Sequence, residues 1–226
     1  RSSNNDNNNG CSGRSSSSSR DSNFNNNRSC SSRRICGNHD RKSLQTPLER
    51  LQASNISSTS KNIILGDSVI RPVNSEDIFD NPSSSQKICI PGLSVLDLEQ
   101  WLSCEQNYEN TENLFVHLGV NSCRQKSINM KVWGKVIEQT KKSFPYAEVH
   151  MSSIIPPRGP HSLKKLAQAT NASLSAACFK HQVKFINNDK WFTISNGSPR
   201  RSLYRDCIHI NQKGAYVLAS SWKYAL

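Results

Sequence analysis

A serine hydroxyl becomes a nucleophile when a base can take its proton, and an imidazole serves as that base when a carboxylate orients it. The oxyanion that then develops needs hydrogen-bond donors aimed at it. This chain carries those residue types in one arrangement. Ser68 follows Gly66-Asp67 at the end of an apolar run, and Asp206-Cys207-Ile208-His209 sets a carboxylate three residues before an imidazole. Gly92 and Asn121 close two further apolar runs. Each residue alone has a plain structural reading: Ser68 as a helix cap, His209 as a packing residue, Asn121 as a turn residue. Taken together in this chain order they read as acyl-transfer chemistry. Ser68, Asp206 and His209 are the candidate catalytic residues. The Ser68 and Gly92 amides and the Asn121 side chain are the candidate oxyanion donors.

These groups can meet only if separate elements bring their loops to one rim. Short apolar runs at 62–65, 88–90, 114–118, 147–155 and 183–186 read as strands, several of them ended by Gly or Pro. Between them, 93–102, 128–144, 161–179 and 212–222 place apolar residues at helical spacing. Thr170 falls on the inward face of the 161–179 helix, where its hydroxyl can bond back to the preceding turn. Strands alternating with helices predict an α/β protein, a five-stranded parallel sheet covered on both faces. Ligands of such sheets bind beyond the carboxyl ends of the strands, which is where Ser68, Gly92 and Asn121 fall.

With these blocks in place, residues 61–226 resemble the SGNH (GDSL-like) hydrolases. Gly66-Asp67-Ser68 matches the family's nucleophile block, Gly92 its second-block glycine, Gly119-Val120-Asn121-Ser122 its G-x-N-D block and Asp206-Cys207-Ile208-His209 its D-x-x-H block. The resemblance implies a flavodoxin-like three-layer α/β/α sandwich and no cofactor. It also implies Ser68 as nucleophile, His209 as base, Asp206 as its orienter, and Ser68, Gly92 and Asn121 as the oxyanion hole. The Asp that usually follows the Asn is Ser122 here, which implies a looser loop. The stretches 62–72 (NIILGDSVIRP), 114–124 (LFVHLGVNSCR), 149–158 (VHMSSIIPPR) and 204–214 (YRDCIHINQKG) are similar to the esterase-like domain in first open reading frame proteins of CR1/L2-type LINE retrotransposons. That similarity implies association with RNA.

Composition separates a tail from this domain. Of the first 32 residues 12 are Ser and 9 are Asn, and such a segment buries too little apolar surface to offset its ordering entropy. Residues 1–60 are therefore expected to be a disordered basic tail, with a short helical segment around 47–51, and 61–226 the folded domain. The first residue is Arg1, so upstream signals and domains stay open. No run approaches the 18 or so apolar residues of a membrane span.

The net charge of +12 favours anionic partners. Lys131, Lys135, Lys141, Lys142, Lys164, Lys165, Arg200, Arg201 and Arg205 are candidate RNA contacts, with solvated helix faces as the plain alternative. The substrate expected is a small ester or a lipid, small acyl groups being favoured because no long apolar insertion builds an acyl channel. The eight Cys have irregular spacing without C-x-x-C, and the last five, Cys89, Cys104, Cys123, Cys178 and Cys207, are expected to be mostly free thiols in a reducing, cytoplasmic compartment. Cys30, Cys36 and His39 offer three metal-type ligands without a fourth at a standard spacing, so no metal site is assigned. No oligomeric state is read from the sequence.

Overall fold

The computed structural model describes residues 45–104, 106–126 and 131–226. Five strands form one fully parallel sheet: β1 (Asn62–Gly66), β2 (Ser85–Cys89), β3 (Asn113–His117), β4 (Glu148–Ser152) and β5 (Lys184–Ile186), in the order β2-β1-β3-β4-β5. The helices are α1 (Pro47–Gln52), α2 (Val95–Leu102), α3 (Val120–Gln125), α4 (Val132–Ser143), α5 (His161–His181), α6 (Asp189–Phe192) and α7 (Gln212–Lys223). The expected three-layer α/β/α sandwich is what the chain forms.

Strand alternation explains the two cores. Successive side chains point to opposite faces. Ile63, Leu65, Ile88, Leu114, Val116, Val149 and Met151 share one face and pack with α1, α2 and α4 through Leu51, Leu98, Trp101, Trp133 and Val136. Ile64, Phe115 and Ile186 point the other way and pack with α7 through Ala215, Leu218, Ala219 and Trp222. Helix α5 serves both, giving Leu174 and Cys178 to the first cluster and Ala167 to the second. Thr170 is fully buried on α5, and its hydroxyl donates to the Leu166 carbonyl at 2.8 Å.

A buried polar network fixes α7 to the strand ends. The Ser152 hydroxyl accepts from Trp222 Nε1 and from Asn188 Nδ2, each at 2.9 Å. Its own proton is left for His117 Nδ1, also at 2.9 Å. His117 must therefore accept there, as a neutral ring. Burial agrees, pushing its pKa down to about 4.

Three features depart from the sequence reading. Order begins before residue 61: Thr46 caps α1 in a reciprocal capping box with Glu49, and Leu51 and Ile56 are buried in the first core. The short helix around 47–51 was expected; its packing into the core was not, because one reciprocal cap and one buried leucine suffice for it. The fourth strand is shorter than expected, ending at Ser152, and a short helix, α3, for which no expectation was made, begins immediately after Gly119. Residues 1–44, including Cys30, Cys36 and His39, lie outside the described residues. Among the described residues Cys89, Cys104, Cys123, Cys178 and Cys207 are free thiols, no group of three metal-type ligands occurs, and no helix is long and apolar enough to cross a membrane.

Candidate active site

The order of the strands puts β1 and β3 side by side at the point where the sheet's winding reverses, and the crevice of such a sheet opens beyond those strand ends. Gly66 ends β1 against His117 of β3, so closely that a Cβ there would overlap the His117 carbonyl. The chain then turns sharply. Asp67 caps a single 3-10 turn, Ser68–Ile70, by accepting from the Val69 amide at 2.9 Å. Ser68 is thereby the first residue of that turn, half-buried at the rim.

His209 comes to meet it from the other end of the sequence. Its Nε2 lies 3.0 Å from Ser68 Oγ, and its Nδ1 lies 2.7 Å from Asp206 Oδ2. Asp206 holds its own loop in a tight turn, with Oδ1 accepting from the Ile208 and His209 amides at 2.9 and 2.8 Å. The slight burial of Asp206 works against its charge. The His209 and Ile208 amides, with the His209 ring, outweigh that and hold its pKa at about 2. An ionised carboxylate only accepts, so Nδ1 carries the ring proton. Nε2 of the neutral ring then presents its lone pair to the Ser68 hydroxyl. A hydroxyl, an imidazole and a carboxylate are thus linked in a chain that can pass a proton from serine to histidine.

The three candidate oxyanion donors differ in readiness. The Ser68 and Gly92 amides make no hydrogen bond among the described residues. Gly92 has φ +85°, a conformation that disfavours any side chain. Its loop rests on α1: Arg50 Nη2 donates to the Pro91 carbonyl at 2.6 Å, and Pro47 lies beneath Gly92. The segment assigned to the tail by composition thus supports the site. Asn121 lies on α3 and is buried; its Nδ2 donates to the Leu93 carbonyl at 3.1 Å and to Asp67 Oδ2 at 3.3 Å. Asp67, to which the sequence reading gave no role, is fully buried, and burial lifts its pKa to about 7 against the pull of the Val69 amide. Its position between a strand-ending Gly and Ser68 was the available signal. Ser122 is buried, and its hydroxyl accepts from the Val95 amide at the start of α2 at 3.0 Å. This bond ties the Asn121 helix to the Gly92 side of the site.

A cleft of about 270 Å³ opens beside Ser68 and His209, with Arg71, Arg205, Asn211 and Gln212 around it. Of the nine candidate nucleic-acid contacts, only Arg205 is brought to this site. Lys135, Lys141 and Lys142 belong to α4, Lys164 and Lys165 to the start of α5, and Arg200 and Arg201 to the segment before α7. Lys141 donates to the His181 carbonyl, Lys142 pairs with Glu138, Lys164 donates to the Gly197 carbonyl and Arg200 to the Thr193 carbonyl. Trp133, Phe192 and Trp222 are buried and Trp191 is half-buried against the second core, which makes them packing residues.

No family profile and no curated protein matches the chain. Solved structures do share its fold. A GDSL-like lipase from Bacteroides thetaiotaomicron superposes with a TM-score of 0.60 at 14% identity, covering 78% of this chain and 93% of that one. A member of the lipolytic protein G-D-S-L family from Veillonella parvula gives 0.53 at 16% identity, covering 71% and 94%. An acetyl xylan esterase gives 0.57 at 17% identity, covering 73% and 98%. At these identities the likeness is one of fold.

Proposed function

We propose that this chain is a serine hydrolase of the SGNH (GDSL-like) type that cleaves a carboxylic ester through an acyl-enzyme. One observation carries the reading: the unbroken contact series from Ser68 Oγ through His209 to Asp206, at 3.0 and 2.7 Å. The fold shared with lipolytic and esterase structures supports it, as do the four sequence blocks.

In this reading His209 Nε2 takes the Ser68 proton while Oγ attacks the ester carbonyl. The Asp206 carboxylate, bonded to Nδ1–H, stabilises the imidazolium that forms. The oxyanion is received by the Ser68 and Gly92 amides and by Asn121 Nδ2, each such donor contributing about 3 kcal/mol in the transition state. Asn121 exchanges its 3.3 Å contact with Asp67 for the oxyanion. The tetrahedral intermediate collapses, the bond to the alcohol oxygen breaks, and His209 returns the proton to that oxygen. Water, deprotonated by the same imidazole, then releases the acid and restores Ser68. The open cleft of about 270 Å³ beside Ser68 and His209 leaves room for part of a small ester. The four stretches around Ser68, Asn121, Ile154 and His209 support the finer assignment to an esterase-like domain of a LINE retrotransposon protein.

The test is hydrolysis of a short-chain aryl acetate by purified wild type, Ser68→Ala and His209→Ala. Activity in the wild type and its loss in both folded variants is expected. Undiminished hydrolysis in either variant removes the reading.

A further inference from the structure

We infer that the alcohol part of the substrate carries an anionic group, a carboxylate or a phosphate, held by Arg71 and Arg205. The inference rests on Ser68 being the nucleophile. The cleft beside it lies on the His209 side. Gly92 and Asn121, which face the carbonyl oxygen, do not line it. His209 must hand its proton to the departing alcohol, so the space on that side belongs to the alcohol and not to the acyl group.

That space is positively charged. Its lining holds two guanidinium groups, Arg71 on the Ser68 side and Arg205 on the His209 side, and no Asp or Glu. The Asp206 carboxylate, 3.8 Å from Arg205 Nη2, is already committed to His209 and two backbone amides. Arg71 has no carboxylate partner among the described residues; burial raises the pKa of the Cys89 thiol, and the Arg71 charge pulls it down. Arg158 adds a third positive charge behind the triad, its Nη1 3.5 Å from the Asp206 carbonyl. Guanidinium forks match carboxylate and phosphate oxygens two at a time. A neutral alcohol leaves both forks to water. An anionic one neutralises them while its ester carbonyl stays at Ser68.

The test compares acetate esters with nearly the same phenolic leaving group. One arm sets 3-(para-acetoxyphenyl)propanoate against its primary amide; the other sets 2-(para-acetoxyphenyl)ethyl phosphate against the parent alcohol. Rates are followed by acid release in a pH-stat. At low salt the full chain should favour the anion in at least one arm by about tenfold in kcat/KM, through KM, the yield of two exposed charge pairs. The arm with the larger preference says which anion is taken. The preference should collapse at about 1 M salt, where charges are screened within about 3 Å. Arg71→Gln and Arg205→Gln should each cut the anion-to-neutral ratio about threefold or more. The neutral ester serves as the internal control for folding and for the triad. Equal rates for anionic and neutral esters in both arms, or ratios that neither variant moves, overturn the inference and leave the hydrolase reading standing. Hydrolysis of none of the four esters overturns both.

Discussion

Replacing Asp206 by Asn probes the proton relay without changing its size. The carboxylate uses Oδ1 for the Ile208 and His209 amides and Oδ2 for His209 Nδ1. Asparagine has one acceptor oxygen for both tasks. If that oxygen stays with the two amides, the NH2 group faces Nδ1, the ring proton is forced to Nε2, and Ser68 loses its base. If the amide flips, the oxygen can accept from Nδ1–H, but two backbone N–H groups then face another donor. At about 1 kcal/mol for each lost amide bond, the flipped and productive state lies about 2 kcal/mol higher and is about thirtyfold rarer. Loss of the charge beside the imidazolium adds to this; the same exchange in the serine-protease triad lowers kcat about 10⁴-fold. Asp206 is 45% exposed, so solvent screening favours the lower part of that interval. The expected result is a fall in kcat of at least about thirtyfold with KM little changed. It is measured as initial rates on an aryl acetate at matched thermal stability. A kcat within about threefold of wild type would show that the histidine works without its carboxylate, and would refute the relay.

Other expectations follow from buried groups. His117 and His150 are both held near a pKa of about 4 by burial, His150 against the attraction of Glu148, while burial lifts Asp67 to about 7. Between about pH 6 and pH 5 the unfolded chain therefore holds protons at both histidines that the folded chain lacks, and the folded chain holds one at Asp67 that the unfolded chain lacks. Stability should rise with pH across this window by about 1.4 kcal/mol per unit for the one net proton. His150 stacks on Phe115 at 4.3 Å and neither ring nitrogen has a hydrogen-bond partner, so His150→Phe should flatten the slope; urea titrations at several pH values check this, and an unchanged slope contradicts it. Leu51→Ala should destabilise the fold by about 2–5 kcal/mol, since Leu51 is fully buried on α1. A melting temperature equal to wild type would place residues 45–60 outside the folded unit.

The elements that carried their pattern in bulk were the legible ones. Ile63, Ile64 and Leu65 are buried on both faces, so β1 reads as an unbroken apolar run, and α4 and α7 show helical spacing over three turns. Strand β2 is at the sheet edge, and its Ser85-Gln86-Lys87 half is polar because solvent reaches it; only its apolar end was recognisable. Helix α3 is too short to show a period. Helix α1 was expected around 47–51, but a single buried Leu51 is too little pattern to show that it packs into the core. In the site, the convergence of Ser68, Asp206 and His209 at 3.0 and 2.7 Å could be anticipated because acyl-transfer chemistry would demand those types in a known relation. Asp67 and Arg71 could not be. What each does depends on which strand end lies beside it, and for Asp67 on complete burial, which no local pattern encodes.

The most direct measurement is covalent labelling with a fluorophosphonate, which reports an activated serine without knowledge of the ester. Rapid labelling of the wild type at a single site, mapped to the peptide containing Ser68 and absent in Ser68→Ala, is the predicted result. Labelling that persists in Ser68→Ala, or a wild type that stays unlabelled while folded, would contradict the assignment of Ser68 as the nucleophile.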